Sequence, residues 1–390
     1  MKKKIAILGS TGSIGLSSLK IIDLKREYFK VELLAASKNY KEIINQINKY
    51  KPKYFIISDI KIFVKISNKF KKHKTIIKNN FDNIILNKNY LDFSIMAIPG
   101  LVSLMPTLLF IKSSKKILLA NKESIICAWK LIKDEAYKHN TKIIPIDSEH
   151  FSIMKLLENN KLEDINKIYI TASGGPFLNY SINQLQKIRP LDALKHPKWK
   201  MGKKISIDSS TLMNKLLEII EAQKLFNISN NKIDILIHPD SLIHAIIEFN
   251  NGLIKFMYHD TSMIIPLANA IYDGKVNMNN FYINSKEKFE DKIVKGLRFS
   301  KVRKEIFPLI ELKKKVQEYP STPIIINAAN EILVDQFLNK KLQFLRINKI
   351  IMSVLNDKNY KKYAIRKPKN INQIIKIDEW ARETAKKYVL

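Results

Sequence analysis

The sequence predicts an α/β protein with an N-terminal Rossmann-like parallel sheet, a central α+β catalytic domain and a C-terminal helical bundle. Up to about residue 146, short apolar runs alternate with polar, helix-like stretches, which is typical of a doubly wound parallel sheet. Beyond about residue 301 the pattern becomes mainly helical. A chain of 390 residues is also too long for one compact core, so two or three domains are expected.

The elements follow this order along the chain. Residues 1–146 form the predicted Rossmann-like domain, and its strand-like runs read KIAIL, VELLAA, YFIIS, FSIMAI, KILLA and KIIPI. Residues 147–272 form the predicted central α+β domain, where INKIYITAS, IDILIH and GLIKFMYH favour strands around one helix. Residues 273–300 are more polar and predict a linker, and residues 301–390 predict a helical domain. In its last helix, Ile374, Trp380 and Ala381 fall on or near one face.

Composition limits the classes of function and the compartment. The net charge of +32 suggests nucleic-acid binding, but the lysines are scattered and accompany many Ile and Asn residues, as A/T-rich codons would produce. We therefore predict no nucleic-acid partner, although a basic surface still attracts phosphorylated metabolites.

The single cysteine, Cys127, cannot form an intramolecular disulfide. No run approaches the ~20 apolar residues of a membrane span, and the apolar run near the start is too short for a signal peptide. The sequence predicts a cytoplasmic protein without a membrane partner.

The stretch ILGSTGSIG contains three of the chain's ten glycines, Gly9, Gly12 and Gly15, between a predicted strand and a predicted helix. This is the context of a dinucleotide-binding turn, in which glycines let backbone amides approach a pyrophosphate at a helix N-terminus. The spacing GxxGxxG is a variant of the usual GxGxxG. An ordinary glycine turn is the alternative.

The end of the second predicted strand bears on the choice of cofactor. Ser37, Lys38 and Asn39 follow VELLAA, where an NAD enzyme usually carries an acidic residue that binds the ribose hydroxyls. A cation and small polar groups suit the 2′-phosphate of NADP instead. An exposed loop lysine would look the same.

Two stretches offer carboxylates. In IIPIDSEHF, Asp147 and Glu149 lie two apart at a predicted strand end, so both can face one side and bind Mg²⁺ or Mn²⁺. ISIDSSTLMNKLLEIIEA reads as a strand, a hydroxyl-rich N-cap and a helix, with Asn214, Lys215 and Glu218 on a shared face. A solvated acidic loop and a surface helix with a Lys–Glu pair are the alternatives.

Two further loops favour binding of a phosphorylated substrate. TASGGPF offers exposed amides and Ser173, which suit a phosphate. HPKWKMG carries His196, Trp199 and Met201 and has the composition of a lid that excludes water. His196 and Trp199 could equally be packed loop residues.

Seven stretches occur in the order GSTGSIG, ILLANKES, PIDSEH, TASGGPF, HPKWKMGKKISIDSSTLMNK, IHPDSLIHAII and INAANEI. Together they resemble the 1-deoxy-D-xylulose 5-phosphate reductoisomerase family over nearly the whole chain. The resemblance implies NADPH- and divalent-metal-dependent rearrangement and reduction of that sugar phosphate to 2-C-methyl-D-erythritol 4-phosphate, in the non-mevalonate route to isoprenoids. It also implies a homodimer.

The resemblance implies roles for individual residues. The metal ligands would be Asp147, Glu149 and Glu218, and catalysis would involve Lys122, Glu149 and His196. The substrate would contact Lys122, Ser148, Glu149, Ser173, His196, Trp199, Met201, Ser209, Asn214, Lys215 and Glu218. The cofactor would contact Gly9, Thr11, Gly12, Ser13, Ile14, Ser37, Lys38, Asn39, Asn121, Glu123 and Gly202.

The chain departs from the usual family pattern at four single positions and at one residue pair. Ser37 stands where glycine is common, Leu178 where arginine is, Leu216 where glycine is, and Asp240 where glutamine is. An Arg–Thr pair is absent near TSMIIP. Two other functions stay open at this point. One is another NADP-dependent, metal-assisted sugar-phosphate oxidoreductase, and the other is a basic nucleic-acid-binding protein.

Overall fold

The computed structural model describes residues 1–82, 84, 86–199, 201–278 and 297–389. These residues form two compact units. The first unit contains Met1–Ser124, Lys130–Asp147 and Met263–Ile283, and the second contains Ile125–Trp129, Ser148–Ser262 and Asn284–Leu390.

The strands are β1 (Lys3–Leu8), β2 (Phe29–Ala36), β3 (Tyr54–Ile57), β4 (Ile76–Lys78), β5 (Phe93–Met96), β6 (Lys116–Leu119), β7 (Lys142–Pro145), β8 (Ile165–Ala172), β9 (Ile233–Ile237), β10 (Ile243–Phe249) and β11 (Ile254–Tyr258). The helices are α1 (Ser13–Asp23), α2 (Tyr40–Tyr50), α3 (Ile60–Lys69), α4 (Leu104–Ser113), α5 (Lys122–His139), α6 (Ser148–Leu157), α7 (Ile182–Leu185), α8 (Pro190–Ala193), α9 (Lys203–Ser210), α10 (Met213–Phe226), α11 (Ile264–Ile271), α12 (Thr322–Leu338), α13 (Phe344–Leu355), α14 (Tyr360–Ala364) and α15 (Ile371–Val389).

The first unit is built on a seven-stranded parallel sheet in the order β4-β3-β2-β1-β5-β6-β7. The Rossmann-like prediction is confirmed. Its central strands read as nearly continuous apolar runs because both faces of such a sheet are covered. The sequence analysis missed β4, a three-residue edge strand whose Ile76 is exposed. The order reverses between β1 and β5, and ligands of such sheets bind at this switch point, beyond the carboxyl ends of the strands.

The second unit contains a mixed four-stranded sheet in the order β11-β10-β8-β9. β8 pairs with β9 in parallel, whereas β10 pairs with β8 and β11 antiparallel. The predicted runs INKIYITAS, IDILIH and GLIKFMYH correspond to β8, β9 and β11, whereas β10 was not predicted. Helix α6 packs against β10 and β11, and α10 contacts α6, β8 and β9.

The strand predicted over ISID is wrong, because Lys203–Ser210 form helix α9. Four residues of alternating polarity are too few to decide between strand and helix. Asp208 shows what stabilises the helix: it accepts hydrogen bonds from Lys204 one turn earlier, at 2.8 Å, and from Asn330 of α12, at 2.7 Å.

The predicted helical C-terminal region is confirmed. Helix α12 packs against α13 and α15, and Ile374 and Ala381 of α15 are buried. Trp380 stacks on Tyr363 with ring centroids 4.5 Å apart. Of the predicted linker, residues 279–296 lie outside the described residues. Within the described ranges, no helix combines the length and the apolar character needed to span a membrane.

Candidate active site

The glycine turn lies after β1 of the first unit, at the switch point of the sheet. Gly9 adopts φ +87°, and a Cβ on it would lie 2.5 Å from the Ala97 carbonyl oxygen. A Cβ on Gly15 would lie 2.3 Å from the Gly9 oxygen, whereas one on Gly12 would lie 3.3 Å from that oxygen. Both outer positions therefore require glycine, because any side chain would collide with backbone.

Helix α1 starts directly after this turn, and its first residues are Ser13 and Ile14. The N-cap residue is Gly12, which offers no side chain to the first amides of the helix. A helix start with free amides and a positive dipole end is suited to a phosphate. The turn therefore has the geometry predicted for a pyrophosphate-binding loop.

Ser37, Lys38 and Asn39 follow β2 and are exposed. The Asn39 side chain accepts a hydrogen bond from the Glu42 amide at 3.2 Å and so caps α2. Ser37 and Lys38 stand beside this cap at the carboxyl edge of the parallel sheet.

Another group of predicted residues lies where β6 and β7 end. The Asn121 amide donates to the carbonyl oxygens of Ile98 and Gly100 and to the Glu123 carboxylate, at 2.8, 3.1 and 3.0 Å. The Lys122 ammonium contacts the Asp147 carboxylate at 2.8 Å, and both groups are largely buried. This edge of the first unit thus contains an ordered loop and a Lys–Asp pair.

The second unit buries a cluster of opposite charges on α6 and α10. The Lys215 ammonium contacts both Glu149 and Glu218, the latter at 2.7 Å. The Ser148 hydroxyl donates to Glu149 at 2.5 Å, and the Asn214 amide donates to Glu218. The predicted shared face of Asn214, Lys215 and Glu218 is present in the structure.

Electrostatics favour the charged forms of Glu149 and Lys215. Burial alone would raise the pKa of Glu149, but the Lys215 ammonium, with His244 and Ser148, holds this pKa well below its usual range. Burial would likewise lower the pKa of Lys215, and the two carboxylates raise it instead. Two buried carboxylates thus share one cation.

The donor set also suits a hard divalent cation. Carboxylate oxygens of Glu149 and Glu218 lie within 4.8 Å of each other. Such oxygens are the ligands that Mg²⁺ and Mn²⁺ prefer. The Lys215 ammonium shows that the pocket between them accommodates positive charge.

The geometry predicted around Asp147 and Glu149 is wrong in one respect. The strand ends at Pro145 and helix α6 begins at Ser148, so alternation along a strand does not orient these carboxylates. Asp147 is instead the residue before the helix, and Glu149 lies in its first turn, where a carboxylate is favoured by the helix dipole.

The two serine-containing stretches meet at Gly175. It adopts φ +63°, and a Cβ there would lie 2.9 Å from the Ser209 carbonyl oxygen. The Gly175 amide donates to the Ser173 hydroxyl at 3.0 Å. The missing side chain thus lets the loop after β8 pack against the end of α9.

His196 joins the lid to this loop. Its Nδ1 accepts hydrogen bonds from the amides of Lys198 and Trp199, at 3.2 and 2.9 Å. The ring proton must therefore be on Nε2, which lies 3.0 Å from the Ser173 hydroxyl oxygen and donates to it. Burial, assisted by the Lys215 charge, lowers the pKa of His196 to about 4 and keeps the ring neutral.

Trp199 contacts His244, one of two stacked histidines that the sequence analysis did not single out as site residues. Its ring meets His244 edge-on at 6.0 Å, and His244 stacks on His259 at 3.7 Å. Burial, together with the His259 charge, lowers the pKa of His244 to about 3. The quoted stretch IHPDSLIHAII contained His244, but only the tertiary contact shows its place beneath the lid.

A third residue that the sequence analysis did not single out is His150, which contacts Glu218 and Glu221 of α10. Its Nε2 lies 2.9 Å from the Glu218 carbonyl oxygen, and its Nδ1 lies 3.4 Å from the Glu221 carboxylate. His150 follows Glu149 in PIDSEH, and that adjacency was the available signal.

The segment before α10 is strained. Leu212 is buried and adopts φ +57°, a left-handed conformation that a branched side chain rarely takes. Such strain is common at functional sites, where the surroundings enforce it. Here it separates Ser209, at the end of α9, from Asn214 and Lys215 at the start of α10.

The departures from the family pattern have local explanations. Leu178 packs against Gly174, whose added Cβ would meet its side chain at 2.6 Å, and Leu216 is fully buried in α10. Asp240 accepts three hydrogen bonds from the Arg298 guanidinium, at 3.1, 3.2 and 3.4 Å, and lies 4.0 Å from the Lys198 ammonium. Among the described residues, no atom lies within 4 Å of a Cβ placed on Gly202, so none of them requires glycine there.

Comparison with known proteins identifies the family. Three family models match: 1-deoxy-D-xylulose 5-phosphate reductoisomerase over residues 5–129, its C-terminal domain over residues 143–226, and the DXP reductoisomerase C-terminal domain over residues 260–384. The chain is 46% identical to the 1-deoxy-D-xylulose 5-phosphate reductoisomerase of Pelagibacter ubique over 385 residues, covering 97% of both chains. The chain belongs to this family. The family predicted from seven motifs is therefore confirmed.

Solved structures of the family agree with this assignment. The reductoisomerase of Zymomonas mobilis in complex with NADPH matches with a TM-score of 0.88 and 31% identity, covering 100% of this chain and 99% of that one. A reductoisomerase in complex with NADPH, fosmidomycin and magnesium matches with a TM-score of 0.90 and 30% identity, covering 99% and 98%.

Proposed function

We propose that this chain converts 1-deoxy-D-xylulose 5-phosphate to 2-C-methyl-D-erythritol 4-phosphate, with NADPH as reductant and Mg²⁺ or Mn²⁺ as cofactor. The observation that carries the proposal is the buried cluster of Glu149, Lys215 and Glu218 in a member of this family. A nucleic-acid-binding protein has no need of two buried carboxylates that share one cation.

The first unit supplies the proposed cofactor site. The backbone around Gly9, Thr11, Gly12, Ser13 and Ile14 would hold the pyrophosphate of NADPH, because the turn leaves helix amides free. Ser37, Lys38 and Asn39 would contact the 2′-phosphate. Asn121 and Glu123 would hold the loop beside the nicotinamide, together with Gly202.

The proposed metal ligands are Asp147, Glu149 and Glu218. A divalent cation held there would supply Lewis-acid polarisation of the substrate's ketone oxygen and would favour loss of a proton from a neighbouring hydroxyl. Lys215, which is the counter-charge of Glu149 and Glu218 in this structure, would then be available to the substrate.

The proposed phosphate site consists of Ser173, Ser209, Asn214 and Lys215. The Ser173 oxygen already accepts hydrogen bonds from Gly175 and His196, so its own O–H is left to donate to a phosphate. Hydrogen bonds of His196 connect Ser173 to the backbone of the HPKWKMG lid. In this lid, Trp199 and Met201 would exclude water. Phosphate binding would supply remote binding energy for closing this lid.

The reaction proposed has two stages. Cleavage and re-formation of a carbon–carbon bond rearranges the skeleton to a branched aldehyde, and hydride transfer from NADPH then reduces the aldehyde to the alcohol. Lys122 and Glu149 are the proposed groups for proton transfer and for stabilising charge on the reacting oxygens, with Ser148 orienting Glu149 through its hydroxyl.

We also propose a homodimer. Strand β11 is an edge strand, and Leu253, Ile254 and Phe256 on or beside it are exposed by 60%, 61% and 48%. An apolar edge of this kind is a template for pairing with another chain, and a second copy would cover it. The cytoplasmic location is also a prediction. So is the division of the chain into four segments, which are residues 1–146, 147–272, 273–300 and 301–390.

Turnover tests the proposed activity. NADPH oxidation should require 1-deoxy-D-xylulose 5-phosphate, stop on addition of EDTA and resume with excess Mg²⁺ or Mn²⁺. Product analysis should find 2-C-methyl-D-erythritol 4-phosphate. Oxidation of NADPH with a different sugar phosphate, and none with this one, would favour the alternative oxidoreductase.

A further inference from the structure

We propose that the second unit contains another small-molecule site, at the carboxyl end of α10, which binds an anion carrying a compact apolar group. A cavity of about 640 Å³ opens there between α10, the loop that follows it, and the residues that lead into α12. It lies within a single unit and includes none of the residues placed in the active site.

Lys224 is the cation that lines this cavity. Among the residues that the structure describes, no carboxylate forms an ion pair with it. Burial accordingly lowers the pKa of the Lys224 ammonium. A half-buried cation without a protein anion is a binding group for an anionic ligand.

The other walls indicate the rest of the ligand. The lining is mixed. Its apolar part comes from Ile220, Ile228, Val316, Pro320 and Pro323. Amides of Gln223, Asn227 and Gln317 and the Ser229 hydroxyl add polar groups that can contact an anion. The combination fits a carboxylate or phosphate bound by Lys224, with a short hydrocarbon group against the isoleucines and prolines.

The alternative to ligand binding is that Lys224 only stabilises α10. It lies in the last turn of α10, where a cation is stabilised by the helix dipole whether or not a ligand binds. That role predicts a loss of stability on substitution, with no change in ligand binding.

The test is a calorimetric titration of the full chain with two probes, butyl phosphate and hexanoate. The variants are K224M, which removes the cation, K224R, which retains it, and K314M. Lys314 is exposed in the same region and does not line the cavity, so K314M is the matched charge control. Butyl phosphate can also bind at the serines of the active site, and its competitive inhibition of turnover reports that event separately.

We expect a binding event that is lost or weakened roughly tenfold or more in K224M, as for loss of a charged hydrogen bond. K224R and K314M should retain it, and K224M should keep wild-type turnover. The probe that binds more tightly assigns the ligand to phosphates or to carboxylates. Absence of such an event in the wild type, or equal binding by K224M, would overturn the proposal. Failure of the proposed reductoisomerase activity would appear in the turnover assay instead.

Discussion

At the scale of the residue, Lys215 has the most constrained environment in the candidate site. Its ammonium lies between two carboxylates that are themselves almost inaccessible to solvent. A buried ion pair is costly to break, because removal of one partner leaves a charge without compensation. The stability of the metal-free protein should therefore depend on this lysine.

Substitution of Lys215 by Met should destabilise the metal-free protein by about 3–5 kcal/mol, since Glu149 and Glu218 would then repel each other. Added Mg²⁺ should restore much of that loss by replacing the missing cation. Thermal unfolding with and without Mg²⁺ measures both effects, with K314M as the exposed control. Equal melting temperatures for K215M and wild type without metal would contradict the charge balance described.

His196 gives a prediction about pH. Its pKa is lowered to about 4 in the folded chain, against about 6.5 in the unfolded chain. Between these values the unfolded chain binds more protons, so stability falls as pH decreases from about 6.5 towards 4. His244, with a pKa lowered to about 3, acts in the same direction.

Unfolding free energies measured from pH 7 to pH 4 should decline, and the decline should be smaller in H196N, whose amide can still donate to Ser173. A pH profile that is identical in H196N and wild type would show that this ring does not titrate on unfolding.

At the scale of the element, the glycine turn before α1 is specified by backbone contacts. Gly15→Ala should weaken NADPH binding by tenfold or more and lower the melting temperature, because the new methyl group would lie 2.3 Å from the Gly9 oxygen. Gly12→Ala is the matched control, since its methyl group would lie 3.3 Å from that oxygen and needs only a small adjustment. Fluorescence titration with NADPH measures the difference. Similar affinities for the two variants would contradict the geometry of the turn.

The elements also show what the sequence could predict. The strands of the first unit were predictable because a sheet covered on both faces needs long apolar runs, and KIAIL and VELLAA supply them. Helix α9 was not predictable from the local sequence, because the contact of Asp208 with Asn330 joins residues 122 positions apart. The hydroxyl N-cap predicted for α10 is wrong, because the N-cap residue is the buried Leu212. Leu212 adopts a left-handed conformation that is unfavourable for a residue with a side chain, so the sequence did not predict it.

Site chemistry was predictable to a similar degree. Residue types and short spacings were enough for Asn214, Lys215 and Glu218, because one helix carries all three. His244 and His259 could not be found in this way, because their stacking depends on the pairing of β10 with β11. This pairing continues beyond β11, where the His259 amide donates to the Leu242 carbonyl oxygen.

At the scale of the whole molecule, the exposed edge of β11 predicts self-association. Phe256→Lys should shift the chain from dimer to monomer in light scattering at micromolar concentration, because a lysine on an edge strand opposes pairing. Tyr137 is exposed and belongs to the first unit, whereas β11 belongs to the second, so Tyr137→Lys is the control and should leave the mass unchanged. A wild-type chain that is monomeric throughout would contradict the proposed homodimer.

The central claim is that the carboxylates of α6 and α10 hold the metal on which turnover depends. Glu218→Gln tests it most directly, because the change keeps the size of the side chain and removes one charge. The variant should lose metal-dependent oxidation of NADPH with 1-deoxy-D-xylulose 5-phosphate, and its affinity for Mn²⁺ should fall, while its affinity for NADPH stays that of the wild type. Turnover that survives in Glu218→Gln with an unchanged dependence on the metal would contradict the account.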